Sequence, residues 1–303
     1  MKRVALGMFV LTMTALVQAE ASFPTVEVVP RPALQIAFEI DGVEVVRYIA
    51  GDSAPKPFLY PLIGPAGKRL TTMSHPIDPN GHRHHRSVWV GHRDVNGNNF
   101  WEEKDGSRIV MTRLEAYGHE AASAWFRAAH EWRDAQGAVV LREQRTWTVT
   151  RLEAGAYYLD LNIAFSPGDE GDVTFAQTPF GFLGVRVTPP MSVKLGGGRI
   201  LNSEGALDEA GVHWKKARWV DYAGPVAPRV VNGVTLFDHP KNPGSPTTWH
   251  VRDEGWMGAS FTYSEARVLK EGEAMTLRYR IYVHGPDEEQ DSLESHWKRF
   301  AGE

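Results

Sequence analysis

The chain has 303 residues, of which 42% are hydrophobic and 23% charged. That balance excludes a disordered chain, which needs low apolar content and high net charge. A formal net charge of −4 gives no electrostatic reason for a nucleic-acid partner, and zero cysteines exclude disulfides, iron–sulfur clusters and a thiol nucleophile.

Residues 1–21 read as an export signal. Lys2 and Arg3 give the positive start, and Val4 to Val17 is an apolar run. Val17-Gln18-Ala19 and Ala19-Glu20-Ala21 offer small residues for cleavage, which predicts a mature chain from about Glu20 or Ser22. An uncleaved anchor is the alternative. A periplasmic or secreted location follows from cleavage. No later apolar run approaches the roughly 18 residues a membrane helix needs, so no span is expected in the mature chain.

Strand patterning then dominates. Leu34, Ile36, Phe38 and Ile40 alternate, Asp41-Gly42 signals a hairpin turn, and Val43 to Tyr48 returns. Ala124 to Trp132 and Val139 to Val149 form a long hairpin around Asp134 to Gly137. Tyr157 to Phe165 and Met275 to His284 are further strands, rich in β-branched and aromatic residues. Pro286 to Phe300 is the one convincing helix: acids lead, bases close, and Leu293, Trp297 and Phe300 share a face. The prediction is all-β: one domain over 22–303, with about fifteen or more strands in a large two-sheet β-sandwich and a short C-terminal helix outside.

Polar chemistry concentrates in three places. His75, His82, His84, His85 and His92 lie in a loop-then-strand segment; imidazole is the usual proton carrier near neutral pH and a common metal ligand. In an extended chain His82 and His84 would share a face and His85 would oppose them. Asn202-Ser203-Glu204-Gly205 supplies a carboxylate that could act as base or ligand. It is followed by Trp214 to Tyr222, where bases alternate with aromatics. Asp238-His239-Pro240 and Trp249-His250-Val251-Arg252 add two histidines and an arginine in the third. For each of these side chains a structural hydrogen bond or surface ion pair is the competing explanation. No Gly-x-Ser-x-Gly, dinucleotide fingerprint, P-loop or His-Glu-x-x-His is present.

The blocks His82-Arg83-His84-His85-Arg86-Ser87-Val88-Trp89, Asp94-Val95-Asn96-Gly97 and Phe100-Trp101 resemble the PmoA-like family, with Arg83 in place of its usual Pro. Asn202 to Gly205, Arg218 to Tyr222, Asp238 to Pro240 and Trp249 to Arg252 extend the match over most of the mature chain. The family label names a methane oxygenase, whose subunit spans the membrane many times, unlike this chain. The family's setting is similar to that of sugar-catabolic proteins. The resemblance implies a supersandwich like the galactose mutarotase-like fold.

Two function classes follow. One is an exported enzyme on a glycoside or keto sugar, a lyase, hydrolase or mutarotase-like epimerase, using His/Glu acid–base chemistry. The catalytic set is then His84, His85, Glu204, His239 and His250. Arg86, Trp89, His92, Asp94, Asn96, Trp101, Arg218 and Arg252 would bind the small carbohydrate. A divalent metal ion, with His82 and His84 among its ligands, would polarise a keto oxygen; no other cofactor is implied. The other class is a non-catalytic carbohydrate-binding or surface module, needing the aromatics and arginines but no acid–base pair. A copper oxygenase built on an N-terminal histidine lacks that residue.

Overall fold

The computed structural model describes residues 25–51, 54–286 and 288–302; the expected export signal lies outside them. Among the described residues, eighteen strands form two eight-stranded antiparallel sheets and a two-stranded ribbon. In spatial order the first sheet runs Val26–Arg31, Gln35–Ile40, Val43–Ile49, Phe58–Leu62, Val88–His92, Gly181–Arg186, Trp256–Ser260 and Thr248–Arg252. The second runs Arg199–Asn202, Trp219–Ala227, Val230–Asp238, Met275–His284, Tyr157–Pro167, Val139–Arg151, Ser123–Arg133 and Arg108–His119. The ribbon pairs Val173–Phe175 with Arg267–Leu269.

Period-2 patterning translates directly into burial. Ser123–Arg133 alternates buried and half-buried at every residue, as a strand with one face on a core must. Phe38, Val88, Leu183 and Trp249 from the first sheet meet Phe126, Trp147, Leu161 and Ile281 from the second in one core cluster. Each fully buried aliphatic or aromatic side chain there contributes about 1.5–3 kcal/mol. The Asp41-Gly42 turn has both residues at positive φ, 51° and 76°, the geometry of a tight hairpin.

Two local expectations need correction. Leu34 is not a strand residue facing the core: its φ is 53° and it is half-exposed, because it closes the preceding turn. The C-terminal helix is Gln290–Ala301 and does not begin at Pro286, because the backbone at Glu289 is still extended. Its apolar face is as expected. Leu293 and Trp297 are buried against Trp219, Phe237 and Tyr282 on the outer face of the second sheet. Among the described residues, no helix is long and apolar enough to cross a membrane.

The first sheet also carries an apolar layer on its outer face, made by Phe58, Trp89, Trp101 and Trp256 with Phe180 and Met73 beside them. Loops cover that layer, and the polar chemistry gathers above it.

Candidate functional site

Strand register builds the floor. Arg186 pairs with Trp256, and Trp256 with Arg252, across three neighbouring strands. One step along, Trp89, Gly184, Gly258 and His250 form a second row. Directly paired residues project from the same face. Val185, Met257 and Val251 fill the core side, so these two rows face outward. The glycines are what let Trp256 lie flat. A Cβ at Gly184 would come within 2.5 Å of the Trp256 ring, and one at Gly258 within 2.6 Å. The indole therefore rests over bare backbone and stacks on Trp89 at 5.0 Å and on His85 at 5.0 Å with an interplanar angle of 13°.

One wall is the loop through residues 73–86. It is pinned where the Ser74 N–H donates to the His85 carbonyl at 2.7 Å. Asp78 organises its tip: Oδ1 accepts the Gly81 N–H at 2.9 Å, and Oδ2 lies 3.1 Å from His82 Nδ1. The chain turns here instead of running extended. His82 therefore does not oppose His85 but approaches both neighbours, at ring separations of 4.9 Å to His85 and 5.8 Å to His84. His75 is 4.9 Å from His82, and its Nδ1 accepts two backbone N–H groups, from Ile77 and Asp78.

The opposite wall follows the short helix Asp208–Val212. His213 Nδ1 donates to the Val251 carbonyl at 2.8 Å. Trp214 adopts φ 58°, a conformation that costs a bulky residue energy and is often kept at functional sites. Its ring lies 4.4 Å from His250 and 4.3 Å from His213. His250 meets Trp256 edge-on at 5.8 Å. Trp256 thus stands between two histidine groups from distant parts of the chain. Together they enclose a cavity of about 580 Å³ that Trp101, Phe180, Arg186, Arg252, Glu254, Glu102 and Lys104 also line.

Burial keeps these imidazoles neutral. Desolvation, aided by Lys56, pushes His84 down to about 3. Desolvation, aided by His213, does the same to His250, and desolvation with Arg186 brings His75 to about 4. His85 lies far below the ordinary histidine range, through burial and then His84. A carbonyl can only accept, so Val251 fixes the His213 proton on Nδ1 and leaves the Nε2 lone pair free. The Asp78 carboxylate likewise accepts from His82 Nδ1. Among the described residues, His85 Nδ1 and His250 Nδ1, both buried, have no partner.

A buried charge cluster supports the Trp101 wall. Lys56 donates to the Trp101 carbonyl at 2.7 Å and to Glu103 at 2.7 Å, while Arg86 grips both oxygens of Glu103. Burial lowers Lys56 to about 8 despite Glu103. Glu103 stays below the usual carboxylate range: burial raises it, but its two cations outweigh that.

The structure brings His82, His84, His85, His250, Trp101 and Arg252 of the expected residues to this cavity. It places the others elsewhere. Glu204 is exposed and pairs with Arg218 at 3.3 Å; Arg218 also pairs with Glu294 of the C-terminal helix, 3.2 Å away. His239 is buried edge-on against Phe300 of that helix. These three residues belong to the outer face of the second sheet. Arg86 is spent on Glu103, below the lining. Trp89 lies under His85 and Trp256 as support. His92 is enclosed, bonded to Thr262 at 2.8 Å. Asp94 and Asn96 tie a turn: Asp94 accepts the Gly97 N–H, and Asn96 bonds Asp172 and Thr174. Among the described residues, no group of three His, Asp or Glu side chains is arranged to hold a metal ion.

Arg186, His213, Glu254 and Trp256 are lining residues that sequence reasoning missed, whereas Trp214 opens the basic and aromatic run noted in the sequence. One signal was available: Arg186 closes the run Gly181–Arg186, which is otherwise wholly apolar. A charge ending such a strand reaches either a partner or a ligand site.

An antiparallel two-sheet sandwich with a histidine- and tryptophan-lined cavity on one outer face defines the class of protein. The profile of a family of unknown function, DUF6807, matches residues 35–298. The chain belongs to that family. No curated protein matches it. Among solved structures, it is similar to heparan sulfate lyase HepC from Pedobacter heparinus, with 10% identity over 84% of this chain and 34% of that one, TM-score 0.40. A TPR-domain containing protein from Parabacteroides distasonis shares 9% identity over 86% of this chain and 48% of that one, TM-score 0.40. A putative kojibiose phosphorylase from the human microbiome shares 9% over 93% and 37%, TM-score 0.37. This chain spans a third to a half of the length of these three.

Proposed function

We propose that this protein is a carbohydrate-active enzyme that moves protons on a sugar held in the cavity against Trp256, in reactions of the lyase, hydrolase or epimerase type. The observation that carries this reading is the arrangement of imidazoles on either side of that indole. His213 and His82 each have Nδ1 held from outside, by Val251 and Asp78, so each offers Nε2 as a proton acceptor. His85 and His250 line the cavity beside them, and the buried Nδ1 of each has no partner among the described residues. Trp214, part-exposed, supplies a flat apolar face for a sugar ring, and the nearly buried Trp101 and Trp256 close the apolar floor beside it. Three of the blocks that resemble the PmoA-like family border this cavity: residues 82–89 contribute His82, His84 and His85, residues 100–101 contribute Trp101, and residues 249–252 contribute His250 and Arg252.

In this reading His213 takes a proton from a carbon or hydroxyl of the substrate, and the imidazolium formed returns it to the product or leaving oxygen. His82, oriented by Asp78, serves the opposite side. An unprotonated imidazole gains basicity as negative charge develops beside it. The test is a mass-spectrometric screen of the purified protein against glycosides and 3-keto-glycosides. Turnover that His213→Gln and His82→Gln each reduce at least ~100-fold, with KM nearly unchanged, is the expected result. Ligand binding with no turnover of any substrate would replace the enzyme by a binding module.

A further inference from the structure

The charges around the cavity do not cancel. Glu102 has Lys104 at 3.4 Å, Arg252 has Glu209 at 3.0 Å, and Glu254 has Lys194 at 2.8 Å. Arg186 is the remaining charged side chain of the lining, and among the described residues no carboxylate pairs with it. It is 1% exposed. Its Nε and Nη2 are enclosed and donate to nothing. Burial lowers it only to about 10, with Tyr222 and then Glu254 acting against that fall, so it is a cation at neutral pH. The imidazoles near it, His75 and His85, are neutral and cannot supply a counter-charge. An uncompensated buried guanidinium is costly to keep, and truncating one partner of such a pair is costly for the same reason. Arg186 therefore stands as half of an ion pair.

We propose that the cavity takes a sugar acid whose monoanionic group, a carboxylate or a sulfate ester, pairs with Arg186. This rests on the reading that the cavity binds carbohydrate. A single unmatched positive charge fits a monoanion; a phosphate dianion would leave net negative charge in an enclosed space. Arg186 is in register beside Trp256, so an acid on the guanidinium sets its ring against the indole.

The experiment is calorimetric titration of wild type and Arg186→Met with glucuronate, galacturonate and glucose 6-sulfate, each against neutral glucose or galactose. At least one acid is expected to bind wild type ten-fold or more tighter than its neutral counterpart. Uronate and sulfated arms tell the two monoanions apart, and preference for either supports the proposal. Arg186→Met should lose the preference while ligand-free protein melts no lower than wild type, because it sheds an unpaired charge. If that variant does not fold, Arg186→Gln, which keeps a polar head without the charge, takes its place and should lose the same preference. Neutral sugars binding as well as every acid, or a preference surviving Arg186→Met, would overturn the proposal. An acid preference without turnover leaves this inference standing and removes the catalytic reading. Turnover of neutral sugars with no acid preference does the reverse.

Discussion

Gly184→Ala is a one-methyl test of the floor. The new Cβ would sit 2.5 Å from Trp256 Cη2, 2.7 Å from Cζ3 and 3.1 Å from Trp89. None of these atoms is the end of a flexible chain, since Trp256, Trp89 and His85 stack on one another with all three ring separations near 5 Å. The indole must lift or the strand must shift, an overpacking cost of about 1–3 kcal/mol. For a domain of this size that lowers Tm by roughly 2–4 °C per kcal/mol. Ligand affinity should fall further than stability, because the displaced ring is the surface on which both histidine groups converge. Thermal denaturation and tryptophan fluorescence read the two effects. The decisive comparison is a double-mutant cycle: in a Trp256→Ala background the added methyl loses its two closest contacts, keeps only Trp89 at 3.1 Å, and should cost far less. Equal cost in both backgrounds would refute the claim that Gly184 exists to seat Trp256.

Two further outcomes are expected. Glu103→Gln leaves Lys56 and Arg86 buried without their shared counter-charge, and breaking such a cluster costs about 3–5 kcal/mol; a Tm within about 2 °C of wild type would show that the cluster is not the support inferred for the Trp101 wall. Acid should destabilise the fold well above the carboxylate range. Burial pushes His92 and His130 each down to about 3, whereas unfolded imidazole binds its proton below about 6.5. Between those values the unfolded chain holds more protons, so stability drops as pH falls, by about 1.4 kcal/mol per pH unit for each such group. His84, His85 and His250 add to this fall; His284, raised by Asp221 despite burial, and Asp238, raised to about 7 by burial, oppose it but are outnumbered. Urea denaturation at pH 7 and pH 5.5 measures the sum, and equal stability at both would contradict it.

The sandwich was legible because strand burial is local information. Met275–His284 and Val139–Arg151 could be read from alternation and turn residues alone, and so could the apolar face of Gln290–Ala301. The site was legible only where its residues were close in sequence. The histidine loop stood out, but its geometry did not: Asp78 and Gly81 turn the chain, so the alternation rule for extended backbone failed for His82 and His85. Glu204 and His239 looked like partners because carboxylate and imidazole suit acid–base work. Their neighbours are set by the C-terminal helix instead, through Glu294 and Phe300. Arg186 and Trp256 reach the floor only by strand register across the sheet, and His213 reaches the wall by docking on Val251. Long-range pairings of that kind leave no periodicity to read.

The sharpest test compares kcat/KM of His213→Gln with that of Glu204→Gln on whichever sugar the screen identifies. The cavity around Trp256 predicts a loss of about 100-fold or more for the histidine variant and near wild-type values for the glutamate variant, whose side chain pairs with Arg218 on the other sheet. A crippled Glu204→Gln beside an active His213→Gln would contradict the account and move the chemistry to the helix-covered face.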